Sequence, residues 1–354
     1  MAGLTTTTDL TAPVNVVFQR KFLERAKARC VYFAGSKPGE VLPSHSGSFN
    51  VRWRRYDNID PTTSALTELT GAPSYPTRAG TSVAKTDNDA TASKYGQVMY
   101  LTEEADLLNF NGQTAEIVDI FGIACGRSLN RLQRNVLEDG VTLVYASGAS
   151  ADANVADPIN GNLIEYVATE LDNNNAVTFM GMTQGSQNYN TSPIYESYVG
   201  FCHSYVAADI RKAAGFIAVE RYAGQTEVWP GEFGQLGRVR WVSSSEASVD
   251  ASSGGAPGSG MRSTSGGACD LFTSVVLGMN AHGAMAMDKE MIRRIYRAGD
   301  VLPGAILINK TRGSSGVADA LDEISSIGWK GWHVGDILNS TWAYGIRTGA
   351  TKLI

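Results

Sequence analysis

Cysteine is scarce in this chain. Its 354 residues hold four, Cys30, Cys125, Cys202 and Cys269. They are widely scattered and form no Cys-x-x-Cys pair, which argues against a disulfide framework and against a zinc site. Reduced, mostly buried thiols are the expectation. Histidine is as sparse: His45, His203, His282 and His333 lack ligand spacing, and no His-Glu-x-x-His occurs. The Gly-x-Ser-x-Gly elbow and the phosphate loop ending in Gly-Lys-Ser/Thr are missing too. Cys202 beside His203 suggests a nucleophile and its base, but neighbours on a strand point to opposite faces and do not easily share a proton. No catalytic residue, metal or cofactor is therefore expected. No run of about 18 apolar residues marks a membrane span. The threonine-rich start, Met1 to Asp9, lacks an apolar signal core, so the chain is expected to be made and kept in a cytoplasm. The triplets at Asn190, Asn309 and Asn339 then carry no glycosylation meaning. Charge is low as well, 18% of residues with a net −5. A chain without excess positive charge is not built for tight nonspecific binding of nucleic acid.

What is present is a soluble, glycine-rich composition: 43% hydrophobic residues and 38 glycines, enough for one large or two modest domains with many turns and long loops. The strongest local signal runs from Thr114 to Gly140. Val118, Phe121, Cys125, Leu129, Leu132 and Val136 recur in steps of three and four, the period of a helix with one buried face. Ile117, Ile120 and Ala124 are expected to widen that face, and Arg127, Asn130, Arg131 and Arg134 to share the other. Thr114 can cap the start, Glu116 and Asp119 suit the positive end of the helix dipole, and Gly140 is a natural stop.

Ahead of this spine, residues 1–12 read as an extended arm and Pro13 to Tyr32 as a helix. Its apolar face is Val14, Val17, Phe18, Phe22, Ala26 and Cys30, with Arg20, Lys21, Arg25, Lys27 and Arg29 around the rest. Phe49, Val51 and Trp53 alternate with polar residues as in a strand. Tyr95 to Thr102 reads as the partner strand. The stretch between, Asp57 to Lys94, is long and polar with thin apolar content at Leu66, Leu69, Tyr75 and Val83. Like the Ser252 to Gly267 loop, it lacks the apolar surface to order itself, so neighbouring subunits are expected to hold it. Beyond the spine come short strands and helices: a strand at Val141–Tyr145, a helix near Ile159–Asp172, a buried strand at Tyr198–His203 and a helix at Val206–Gly215. Strands follow at Val239–Val242, Phe272–Met279, Ala305–Ile308 and Gly328–Trp332, with a helix at Met287–Tyr296. A last strand pair over Ile337 to Arg347 is expected to return to the spine. No internal repeat is visible. Every protruding part is too polar or too thin to stand alone, as in a subunit of an assembly.

Several stretches resemble a known family. They are Thr11-Ala-Pro-Val14 before the basic helix, Val51-Arg-Trp-Arg-Arg-Tyr56, Thr67-Glu-Leu-Thr-Gly-Ala-Pro73, and Lys94-Tyr-Gly-Gln-Val-Met-Tyr-Leu-Thr102. Val199-Gly-Phe-Cys-His203, Gly231 to Val242, Trp329-Lys-Gly-Trp332 and Ile337-Leu-Asn339 complete the set. In this order they resemble the major capsid proteins of tailed bacteriophages, in particular the family typified by coliphage N-four. The chain departs from that pattern at Ser204, where relatives often carry proline, and in the Ser252–Gly267 loop, which looks like an insertion.

The resemblance implies an α+β chain of the Hong Kong 97-type capsid fold. It would have an N-arm at 1–47, an extension loop at 48–103, a peripheral domain at 104–140 with 286–354, and an axial domain at 141–285. It implies a structural subunit that self-assembles into hexamers and pentamers of an icosahedral shell around double-stranded DNA, without enzymatic activity. Contacts between subunits would fall on Arg20, Arg25, Arg29, Arg52, Arg54, Leu66, Leu69 and Tyr75. Partners would be other copies of the chain and a portal, with decoration or scaffolding proteins as further candidates, DNA at most loosely held and no membrane. The chain would reside in the virion after assembly in a host cytoplasm. Two other readings stay open: an encapsulin-type shell holding protein cargo, and a hydrolase whose convergent polar site is not visible in the sequence.

Overall fold

The structure is a computed structural model. It describes residues 21–22, 24–26, 30–38, 49–57, 59, 61, 82–108, 113–180, 195–222, 229–258, 260–284, 305–312 and 321–353. The expected helix at Met287–Tyr296, the start of the arm, and residues Arg20, Lys27, Arg29, Leu66, Leu69 and Tyr75 lie outside these.

In chain order the elements are α1 (helical residues 21–22 and 24–26), β1 (Lys37–Pro38), β2 (Asn50–Tyr56), β3 (Lys85–Thr91) and β4 (Ser93–Thr102). Then come α2 (Glu103–Leu108), α3 (Gln113–Gly140), β5 (Thr142–Tyr145), α4 (Gly161–Asn173), β6 (Tyr198–His203) and α5 (Ser204–Lys212). They are followed by β7 (Ile217–Ala218), β8 (Glu232–Leu236), β9 (Val239–Ser244), β10 (Val249–Asp250), β11 (Leu271–Leu277) and β12 (His282–Ala284). The last strands are β13 (Ala305–Lys310), β14 (Ile324–His333), β15 (Gly335–Ile337) and β16 (Ala343–Thr348).

Helix α3 is the spine. Its 28 residues span about 42 Å at the usual rise. Ile117, Val118, Phe121, Cys125 and Leu129 form its buried stripe, packed with Phe22 of α1 and with Ala305, Ile327 and Trp329 of β13 and β14. Leu137, one turn from its end, is buried against the large sheet. The apolar face is narrower than the periodicity implies, because Ile120 points to solvent. The polar face is interrupted in turn: Asn130 and Gln133 are fully buried, since the turn at residues 32–35 and strand β15 cross the spine there. Arm and spine approach closely through two glycines four residues apart. A Cβ on Gly122 would lie 2.8 Å from the Phe22 carbonyl oxygen, and one on Gly126 would lie 2.4 Å from that of Ala26. The arm's helix is over by Cys30, short of the expected Tyr32.

The main core is an eight-stranded mixed sheet, β5-β16-β11-β6-β9-β8-β7 with β10 paired to β11. Every residue of β6, β8 and β11 is buried, as expected for central strands covered on both faces. Helices α4 and α5 cover one face, where Leu171, Val206 and Ile210 pack on Trp241, Phe272 and Val276. The end of the spine and the arm turn cover the other, through Leu137 and Tyr32 against Val199, Phe201, Val275 and Leu277. Asn160 caps α4 by accepting from the Leu163 backbone N–H at 2.9 Å.

Three strand assignments change. The partner of β2 is β3, not Tyr95–Thr102: Arg52 lies opposite Asp89 and Arg54 opposite Asp87. Strand β3 reads Lys-Thr-Asp-Asn-Asp-Ala-Thr, so it carries no apolar alternation and falls inside a stretch that looks like loop. Strand β4 pairs instead with β14 over its whole length, Thr102 opposite Ile324 through Ser93 opposite His333. The closing segment is not a strand pair. Strand β15 pairs with β12, while β16 enters the large sheet between β5 and β11. Residues 343–348 thus lie in the same sheet as β5 and β11.

The Ser252–Gly267 loop, for which contacts from a neighbouring subunit are expected, also has hydrogen bonds within its own chain. The buried Asp270 carboxylate accepts from the Ser252 N–H at 3.0 Å and from the N–H and hydroxyl of Thr264 at 2.9 Å each. Buried carboxylates with such donors act as staples.

Candidate assembly surface

The β2–β3 hairpin has two unlike faces because side chains alternate. Val51 and Trp53 point inward and pack with Ala92, Val334 and Leu338. The root is clasped by Asn88, whose Nδ2 donates to the Ile337 carbonyl at 3.0 Å, and by Arg55, which donates to the Leu338 carbonyl at 3.3 Å. The outward face is a ladder of charges. Arg52 donates to both Asp89 oxygens, at 2.6 and 2.7 Å. Arg54 reaches Asp87 at 2.9 Å and Lys85 reaches the same carboxylate at 3.0 Å. The hydrogen bonds from Arg54 and Lys85 hold the Asp87 carboxyl down at about 2. Asp89 is lowered by Arg52. Of the residues marked out for subunit contacts, Arg52 and Arg54 therefore already have partners within the chain.

Arg25 on α1 has one as well, Asp119 of the spine at 2.8 Å. The spine arginines converge on a single acid. Arg127 contacts Glu246 at 2.5 Å, Arg131 contacts its other oxygen, and Arg134 donates to the Glu246 carbonyl at 2.6 Å. Burial raises the Glu246 pKa, but the hydrogen bonds from Arg131 and Arg127 outweigh it and leave the carboxyl below its usual range. A bare basic stripe facing nucleic acid is thus not what the spine presents.

The surface left without a partner is apolar. Strand β4 is an edge strand; among the described residues only β14 pairs with it. On it Val98 is 55% and Tyr100 68% exposed, and just beyond, on α2, Leu107 is 72% and Leu108 87% exposed. Ile120 of the spine and Leu321 are open to solvent as well. A long, nearly uncharged edge strand beside exposed leucines is the kind of surface that protein contacts bury. Sequence reasoning recognised the strand but not its exposure. The available signal was α2 itself, where Glu-Glu-Ala-Asp is followed by two leucines too close together to share one buried stripe.

The chemistry suggested by Cys202 and His203 does not assemble. Cys202 is buried, and burial pushes its thiol pKa well up, only partly countered by Arg211. The His203 Nδ1 accepts from the Tyr205 N–H at 3.1 Å, capping α5, and its ring lies between Tyr205 and Phe272. A cleft of about 840 Å³ opens at the hairpin root; its ionisable walls are Lys37, Arg54, Arg55, Tyr56 and Asp57, with neither histidine nor cysteine.

No protein-family model and no curated protein matches the sequence. Solved structures do. The capsid of Ralstonia phage GP4 superposes with a TM-score of 0.59 at 11% identity, over 87% of this chain and 85% of that one. The chain has the Hong Kong 97-type capsid fold. An acid-stable capsid of Helicobacter pylori bacteriophage KHP30 matches at 0.52 and 10% identity, covering 89% of this chain and 87% of that one. The head of Helicobacter pylori bacteriophage KHP40 matches at 0.51 and 12% identity, over 89% and 88%. Each of these matches spans more than four-fifths of both chains.

Proposed function

We propose that this chain is the major capsid protein of a tailed phage, a structural subunit that self-assembles into hexamers and pentamers of the icosahedral shell around double-stranded DNA. The observation that carries this reading is the capsid fold, shared along nearly the entire length with the Ralstonia phage GP4 capsid. The exposed apolar edge at Val98, Tyr100, Leu107 and Leu108 supports it, because such a surface is buried in an assembly. Kinship with the coliphage N-four family rests on the sequence resemblance.

In this reading Arg20, Arg25, Arg29, Leu66, Leu69 and Tyr75 contact neighbouring subunits, and the self-paired Arg52 and Arg54 keep the hairpin rigid while it reaches over one. A portal occupies one vertex, scaffolding or decoration proteins join the same shell, and DNA is at most loosely held. The chain's −5 charge suits a container that does not grip its contents. The test is negative-stain imaging of recombinant particles and virions, with nucleic-acid content assayed. Icosahedral shells from the chain, and DNA-filled virions built of it, bear the reading out. Shells filled with protein and lacking DNA in their native source favour the encapsulin-type alternative, and failure to form any particle overturns the assembly role. Arg25→Glu tests the arm contact. Facing Asp119, an exposed pair, it should leave the subunit folded while assembly fails; normal assembly removes Arg25 from the interface.

A further inference from the structure

Midway along the spine the core turns polar. Asn130 and Gln133 of α3, His282 of β12 and His333 at the end of β14 are all buried, and all four surround the strap formed by residues 30–38. The Asn130 Oδ1 accepts from the Tyr32 N–H at 2.9 Å. The Gln133 amide nitrogen donates to the Gly283 carbonyl at 3.5 Å, so its oxygen is left to accept from the His333 Nε2–H at 3.0 Å. Phe33 sets its ring at right angles to His333, with centroids 6.0 Å apart. Strand β1 of the strap pairs with β12 directly beside His282, Lys37 opposite Gly283. His282 itself is fully buried, and neither ring nitrogen finds a hydrogen-bond partner of ordinary geometry.

We propose that His282 and His333 form an acid-sensitive latch: while both are neutral they hold the 30–38 strap on the spine helix, and protonating them releases it. A buried imidazolium needs a counter-charge or several acceptors. Charged groups on the surrounding elements include Arg127, Arg131, Arg134, Glu138 and Asp139 from the spine, Lys37 from β1, Arg52, Arg54 and Arg55 from β2, Lys94 from β4, Lys330 from β14, Asp336 from β15 and Glu246 from the turn after β9. Burial, and no carboxylate among these, governs both rings. It holds each near 4, opposed at His282 only by the Tyr32 backbone. The unfolded or released chain therefore binds more protons than the latched one between about 6.5 and about 4. The latch weakens as pH falls through that window. Release there loosens the arm and lifts Tyr32 from Phe201 and Val275, while the backbone ladder between β6 and β11 keeps its own hydrogen bonds.

The experiment is amide hydrogen exchange on the purified full-length chain from neutral pH down to about 4, with each rate normalised to its intrinsic value. Protection of residues 30–38 should fall roughly tenfold or more while β6 and β11 stay protected. The His282 ring has no hydrogen-bond partner of ordinary geometry, so His282→Leu should be nearly neutral, and His333→Gln keeps an N–H donor for the Gln133 oxygen. The double variant should fold and keep that protection flat. Glu138 and Asp336, both raised by burial, still titrate in the double variant. The same acid loss there would assign release to the carboxylates and overturn the latch. Should the double variant not fold, the wild-type histidine Cε1–H signals decide. Titration of both rings near 4, in step with strap exchange, supports the latch, and titration of either near 6.5 overturns it.

Discussion

The eight-stranded sheet and the β2–β3 hairpin use the same backbone ladder and are held by opposite means. In the sheet the strands are buried on both faces and side chains such as Trp241, Phe272 and Val276 exclude water. In the hairpin one face is anchored by Val51 and Trp53, and the other is stitched by Arg52, Asp89, Arg54, Asp87 and Lys85 in open solvent. The first arrangement is stable by itself. The second is a pair of strands of the kind that is marginal without further support, and its charges are of the sort that salt screens. The difference teaches that the sheet is specified by what it buries, whereas the hairpin depends on its anchored face and on charge pairs across its open one.

The largest effect should follow a deletion in the sheet. Phe272 is fully buried between His203 and Tyr205, so Phe272→Ala should cost about 3–5 kcal/mol in urea unfolding. A loss no larger than that of an outward hairpin substitution would break the comparison. Next comes the junction of arm and spine. Gly126→Val drives a side chain into the Ala26 backbone and should cost about 1–3 kcal/mol. Limited proteolysis should then cleave the arm while the sheet stays intact, and an unaltered digest would show the two helices are not tightly docked. Asp270→Ala strips the acceptor from the Ser252 and Thr264 N–H groups and should cost about 1–3 kcal/mol, with cleavage confined to residues 252–267. An unchanged loop would mean that contacts other than Asp270 hold it.

The smallest effect belongs to Asp87→Asn on the hairpin. The Asp87 pKa is lowered from 3.8 to about 2, so its contribution is present above 3.8 and is lost as pH falls toward 2. Because the pair lies at the surface, with Arg54 about half exposed, the shift in melting temperature should be small and should vanish in molar salt. A large shift that salt leaves untouched would show the ladder to be structural in the way the sheet is.

Much of the sheet was legible because its strands are apolar runs bounded by turns. Tyr198–His203 is found at its sequence-read limits and the spine within one residue. The hairpin was half legible. Strand β2 alternates and was found, but β3 is polar throughout, and only the matching of Arg52 with Asp89 and Arg54 with Asp87 gives it a register. The candidate contact residues fared unevenly for the same reason. Arginine in a sequence announces a charge and not its partner, and the structure gives Arg25, Arg52 and Arg54 partners inside the chain. The exposed apolar surface at Val98, Tyr100, Leu107 and Leu108 was not marked in the sequence, where Val98 and Tyr100 read only as part of a strand.

By itself the sequence determined the long spine helix, the buried central strands, the scattered thiols and the missing catalytic motifs. These depend on periodicity and residue type, which are local. Tertiary structure decided which strand pairs with which, that β16 returns to the large sheet, that Asn130, Gln133, His282 and His333 share one buried site, and which apolar residues stay in water. Most of these depend on residues far apart in sequence meeting in space, and burial is a property of the neighbours a side chain acquires rather than of the side chain.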